Sequence, residues 1–153
     1  AGGGVWVRGR AWAGRPAVVA VAAVRVSAAG TRRVETTGNG PINVPEFGSV
    51  KTEAGFTALY AMSPYAHVKI GIEYPALLVT TGINDPRVDA WIPAKFAARL
   101  QAATASGKPV LLRVDYDAGH GFGATMQQFE LDQADKLSFA LWQTGDPDFQ
   151  PKR

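Results

Sequence analysis

The sequence predicts an α/β fold, a mostly parallel sheet flanked by helices, on three observations. Two short apolar runs, 76–81 and 110–114, are each followed by a stretch with helical periodicity, and a valine-rich run at 17–26 offers a further strand. With 153 residues, 46% hydrophobic and 19% charged, the chain has the size and composition of one globular domain. Its 17 glycines and 10 prolines show no collagen-like period, and no internal repeat is present.

Each element has a local reason. Residues 17–26 crowd Val18, Val19, Val21, Val24 and Val26 together, the β-branched density of a buried strand, although the interleaved alanines also permit a helix. The stretch 30–47 is rich in Gly, Thr, Asn and Pro and reads as a long surface loop. Phe56, Leu59 and Tyr60 recur at helical spacing within 51–62, and that helix should end before Pro64, which disfavours the helical conformation of the residue ahead of it. Ala76-Leu77-Leu78-Val79-Thr80-Thr81 is the run that a parallel strand covered on both faces requires.

After a turn containing Gly82, Asn84 and Pro86, Ile92, Phe96, Leu100 and Ala103 mark one helix over 91–105. Asp89 is placed to cap its start, Pro93 suits its first turn, and Gly107 stands where a left-handed cap is expected. Val110-Leu111-Leu112-Arg113-Val114 is the next strand. A glycine-rich loop and a last helix over 125–143 follow, with Leu131, Ala134, Leu137, Leu141 and Trp142 as its expected apolar face. Residues 1–145 thus form the expected domain, and 146–153 a frayed tail.

Composition excludes several functions. Without cysteine there is no disulfide framework, no thiolate metal site and no cysteine nucleophile. The longest apolar run, eight residues at 17–24, falls short of the ~20 that span a bilayer, so no membrane partner is expected. The cytoplasm and the periplasm both remain open. The net charge of +3 is local: six arginines and one glutamate fill the first 36 residues, and acids slightly outnumber bases thereafter. Scattered arginines without interleaved surface aromatics make a poor nucleic-acid surface, although a non-enzymatic basic binding role stays as an alternative. The start, Ala1-Gly2-Gly3-Gly4, has neither methionine nor a signal pattern and reads as a chain entered part-way.

In open parallel sheets, functional groups collect beyond the carboxyl ends of the strands. Two such loops follow 76–81 and 110–114, and they carry Asp85 and His120, about one βαβ unit apart. If the two strands are neighbours, roughly 4.8 Å apart, Asp85 and His120 leave one edge side by side. A carboxylate beside an imidazole fixes its tautomer and stabilises its charged form, as a general base requires. Gly119 and Gly121 allow a sharp turn around His120. Asp115, Asp117 and His120 would need further ligands to hold a metal, so no metal is expected. His67, with no acid nearby in sequence, reads as a surface or packing histidine.

Several stretches resemble the C-terminal part of the prolyl oligopeptidase family of serine peptidases. They are Pro41-Ile42-Asn43-Val44-Pro45-Glu46-Phe47-Gly48, Tyr60-Ala61-Met62-Ser63-Pro64-Tyr65, Tyr74-Pro75-Ala76-Leu77-Leu78, Asn84-Asp85-Pro86-Arg87-Val88, Lys95-Phe96-Ala97-Ala98-Arg99-Leu100-Gln101 and Ala118-Gly119-His120-Gly121. The resemblance implies the C-terminal part of an α/β-hydrolase fold and a triad ordered Ser, Asp, His, in which Asp85 and His120 are the second and third members.

It also implies that Arg87 binds a substrate carbonyl, that short peptides are the substrates, and that no cofactor takes part. In this family the nucleophile sits in a Gly-x-Ser-x-Gly-Gly turn, and Ala1-Gly2-Gly3 resembles the residues directly after that serine. The resemblance therefore makes the preceding part of the protein a required partner, leaves this piece alone inactive, and gives the backbone N–H of Ala1 to the oxyanion hole. The tryptophan that stacks on substrate proline in the family has no counterpart in 42–48, so selection for proline is not implied. A related hydrolase of esters or acylated amino acids would share the same residues.

Overall fold

A computed structural model of the chain describes residues 5–8, 18–21, 35, 40–120 and 125–152. Four strands, β1 (Val5–Arg8), β2 (Val18–Val21), β3 (Ala76–Gly82) and β4 (Val110–Asp115), form one sheet in the order β1-β2-β3-β4. β1 pairs antiparallel with β2, while β2 with β3 and β3 with β4 are parallel. β1 has no counterpart among the expected strands: its four residues are too few to show a period. The described part of the predicted 17–26 strand is β2.

The helices are α1 (Val44–Phe47), α2 (Glu53–Met62), α3 (Trp91–Ala103) and α4 (Met126–Thr144). α3 covers one face of the sheet, where Phe96, Leu100 and Ala103 pack with Val68, Leu77 and Val110. α4 covers the other, setting Phe139 and Trp142 against Ala76 and Leu78. Alternate β3 side chains therefore enter opposite cores, which is why the strand has no polar face. Val79 is wholly buried.

Several details differ from expectation. Residues 40–47 are not open loop: Gly40–Asn43 is a 3-10 turn running into α1, with prolines 41 and 45 presetting helical φ. α2 starts at Glu53, capped by the Thr52 hydroxyl, which accepts from the Gly55 N–H at 3.2 Å. α3 ends at Ala103 with an extended Thr104, and Gly107 has no left-handed role. The Ala103 carbonyl instead accepts from Gly71 N–H, and Ile72 bridges to Thr104, so a distant segment satisfies the helix end. Asp89 does not cap α3 through its side chain. Its carboxylate accepts from Trp91 Nε1 at 3.2 Å.

The predicted apolar face of α4 is partly wrong. Leu131, Ala134 and Leu137 are exposed, whereas Phe139 is 4% exposed. The reason is Arg113, which leans from β4 and bonds Asp135 through Nε at 2.6 Å, with Asp132 at 3.5 Å. The stripe 132, 135, 139, 142 faces the sheet, and its first half is acidic to meet that arginine. Residues 146–149 are not frayed either: Asp146 caps the 3-10 turn Pro147–Phe149, and Gln150 Nε2 donates to the carbonyls of Trp142 and Asp146.

α4 begins with a reciprocal capping box, in which Thr125 accepts from Gln128 N–H and Gln128 Oε1 accepts from Thr125 N–H. The substitution Thr125→Ala removes one half of it and is expected to cost ~1 kcal/mol, read as a lower urea midpoint with an unchanged slope.

Candidate functional site

β3 and β4 stay in register to their last residues, Gly82 opposite Asp115. Ile83 N–H then donates to the Asp115 carbonyl at 2.8 Å, Asn84 N–H to the Ala118 carbonyl at 3.2 Å, and Asn84 Nδ2 to the Tyr116 carbonyl at 3.1 Å. The two loops are thus laced together just beyond the sheet. A side chain at position 82 has no room, since a Cβ there would lie 2.3 Å from the Ala118 carbonyl oxygen. Glycine is required at this crossing for close approach.

The lacing delivers Asp85 against His120. His120 Nδ1 lies 2.8 Å from Oδ1 and 2.7 Å from Oδ2 of Asp85, with both side chains about nine-tenths covered. An ionised carboxylate only accepts, so Nδ1 carries the proton and Nε2 is the basic nitrogen in the neutral ring. Asp85 Oδ1 also accepts from the N–H groups of Arg87, at 2.8 Å, and Val88, at 2.9 Å. Burial by itself raises the Asp85 pKa. The two backbone donors and the adjacent imidazole outweigh it and hold the carboxyl below its ordinary value.

Arg87 is exposed on the same loop, two residues past Asp85, and Ala1 lies outside the described residues. Among the described residues no group of three or more potential ligands could hold a metal ion. Asp115 and Asp117 do not converge with His120 on such a centre: Asp115 Oδ1 accepts from the N–H groups of Asp117 and Ala118 instead. His67 is an exposed surface histidine, its Nε2 3.1 Å from the Tyr60 carbonyl and its ring edge-on to Tyr60. Ser106 donates to the Tyr74 carbonyl at the opposite end of the strands, and Ser63 is buried with its hydroxyl accepting from Ala66 N–H. In the sequence Asn84 reads only as a turn residue and Asp115 only as a metal-ligand candidate, not as groups that lace the two loops. The signal was available for Asp115, an acid ending a strand ahead of a glycine turn.

A model of the prolyl oligopeptidase family matches residues 4–147. The chain belongs to the prolyl oligopeptidase family. It is 43% identical over 90 residues to a prolyl endopeptidase of Elizabethkingia miricola, covering 59% of this chain and 13% of that protein. It is 32% identical over 100 residues to dipeptidyl aminopeptidase BI of Pseudoxanthomonas mexicana, covering 65% and 14%. A solved prolyl endopeptidase superposes with a TM-score of 0.66 at 34% identity, over 78% of this chain and 17% of that one. Prolyl oligopeptidase B of Galerina marginata gives a TM-score of 0.67 at 30% identity, over 74% and 16%. The fold is accordingly that of the α/β-hydrolase part of these peptidases, and the chain spans about an eighth of the length of its curated relatives.

The sign of the Asp85 shift sets a pH dependence. Its folded-state pKa lies below the ~3.9 of an unfolded aspartate, so its stabilising effect is complete above that value and disappears as pH falls through the folded one. Wild type is expected to exceed Asp85→Asn in urea midpoint at pH 5–7, with the gap closing below about pH 4. A gap that persists undiminished to pH 2 contradicts this.

Proposed function

We propose that residues 1–145 are part of the catalytic domain of a serine peptidase that cleaves short peptides, and that Asp85 and His120 supply two members of its triad. The observation that carries this is the 2.7–2.8 Å contact of His120 Nδ1 with Asp85 at the carboxyl ends of adjacent parallel strands, in a chain of this family. Relatives named prolyl endopeptidase and protease 2 support the substrate class.

In this reading the serine belongs to the sequence preceding Ala1. His120 Nε2 takes the hydroxyl proton as Oγ attacks the scissile carbonyl carbon, and Asp85 stabilises the imidazolium. The oxyanion is met by backbone N–H groups, among them that of Ala1. Collapse returns the proton from His120 to the leaving amine, and water repeats the sequence in reverse to free the acyl group. Arg87 orients the substrate through a backbone carbonyl, a task that its exposed position beside Asp85 suits.

A fluorophosphonate probe separates the parts of this proposal. The natural-length protein is expected to be labelled at one serine, and His120→Ala to lower both labelling and peptide turnover by ~10⁴-fold or more. The 153-residue chain is expected to take no label. Stoichiometric labelling of that chain would place a nucleophile within it, and undiminished labelling of His120→Ala would remove His120 from the mechanism.

A further inference from the structure

Asp85 and Asp115 make the same turn. In each, Oδ1 accepts from the N–H groups two and three residues on: Arg87 at 2.8 Å and Val88 at 2.9 Å for Asp85, Asp117 at 3.0 Å and Ala118 at 2.9 Å for Asp115. Asp85 is explained by the imidazole that it faces. Asp115 faces no such group, yet it ends β4, five residues before His120, and its side chain is only 17% exposed.

We propose that Asp115 is the positioning residue of the His120 loop, acting through its turn rather than through its charge. This rests on the reading of Asp85 and His120 given above. The Asp115 turn fixes the orientation of the peptide at Ala118, whose carbonyl accepts from Asn84 N–H, and the Tyr116 carbonyl inside the same turn accepts from Asn84 Nδ2. These are the contacts that set the His120 loop against the Asp85 loop. Charge pairing is secondary. Arg113 approaches Asp115 only at 3.7 Å, and Asp132 and Asp135 already compensate that arginine. Side chains of Asp and Asn form this turn equally well, whereas Glu carries the same charge one methylene too far out.

The test crosses charge with turn in the natural-length protein. Asp115→Asn keeps the acceptor and loses the charge; Asp115→Glu keeps the charge and loses the turn. Peptide turnover is expected to stay within about 3-fold of wild type in Asp115→Asn. In Asp115→Glu kcat is expected to fall ~10- to 100-fold with KM changed less than about 2-fold, the scale of a misplacement near 1 Å. The reverse order, or equal loss in both, overturns the proposal, as does wild-type kcat in Asp115→Glu.

A second measurement does not need turnover. With histidine-labelled protein, the low-field Nδ1 proton resonance of His120 is expected to survive in Asp115→Asn and to shift or vanish in Asp115→Glu. Its survival in both overturns the inference even if no substrate is found. Absence of peptide turnover in the wild type, with that resonance behaving as expected, counts against the peptidase reading alone. Should Asp115→Glu fail to fold, Asp115→Asn still decides: loss of the resonance or of kcat there refutes the proposal.

Discussion

The parallel pairing of β3 with β4, in a register that ends with Gly82 opposite Asp115, is the constraint on which the site depends. A slip of one residue would turn every β3 side chain to the opposite core and carry the Asp85 loop past its partner. Burial enforces the register. Leu77 must enter the α3 side, and Ala76 and Leu78 the α4 side, so the hydrophobic effect that assembles the layers also places an acid and an imidazole within hydrogen-bonding distance.

Beyond the strands, order comes from polar contacts. Among the described loop residues, backbone groups are engaged in the cross-loop bonds of Ile83 and Asn84 and in the two aspartate turns, and Val88 is buried. Asp85 performs a structural and an electrostatic task with one carboxylate. The backbone donors that shape its loop also favour its ionised form, which is the form that holds the imidazole. On the far side of the sheet, Arg113 joins β4 to Asp132 and Asp135 of α4, so the helix after the His120 loop is anchored to the strand before it.

Much of this was legible in the sequence because strong local signals coincide with tertiary need. The run 76–81 is apolar since both its faces are covered, and the spacing of Asp85 and His120 sets them on successive parallel strands that lie side by side. Where expectation failed, a residue distant in sequence decided the outcome. Arg113 shifted the sheet-facing stripe of α4, leaving Leu131 and Leu137 exposed, and Gly71 rather than Gly107 completed the end of α3. Asp115 reads in the sequence as a metal-ligand candidate because composition alone does not distinguish an acid that binds a cation from one that folds its own backbone.

The central claim is that Asp85 and His120 act as one unit, and a double-mutant cycle on kcat tests it most directly. Comparing Asp85→Asn, which keeps the acceptor for the Arg87 and Val88 N–H groups, His120→Ala and the double variant in the natural-length protein, the account predicts that the double variant is no slower than His120→Ala alone, because the charge of Asp85 acts through the imidazole. Additive losses, each substitution slowing the other variant by its full single effect, would contradict it.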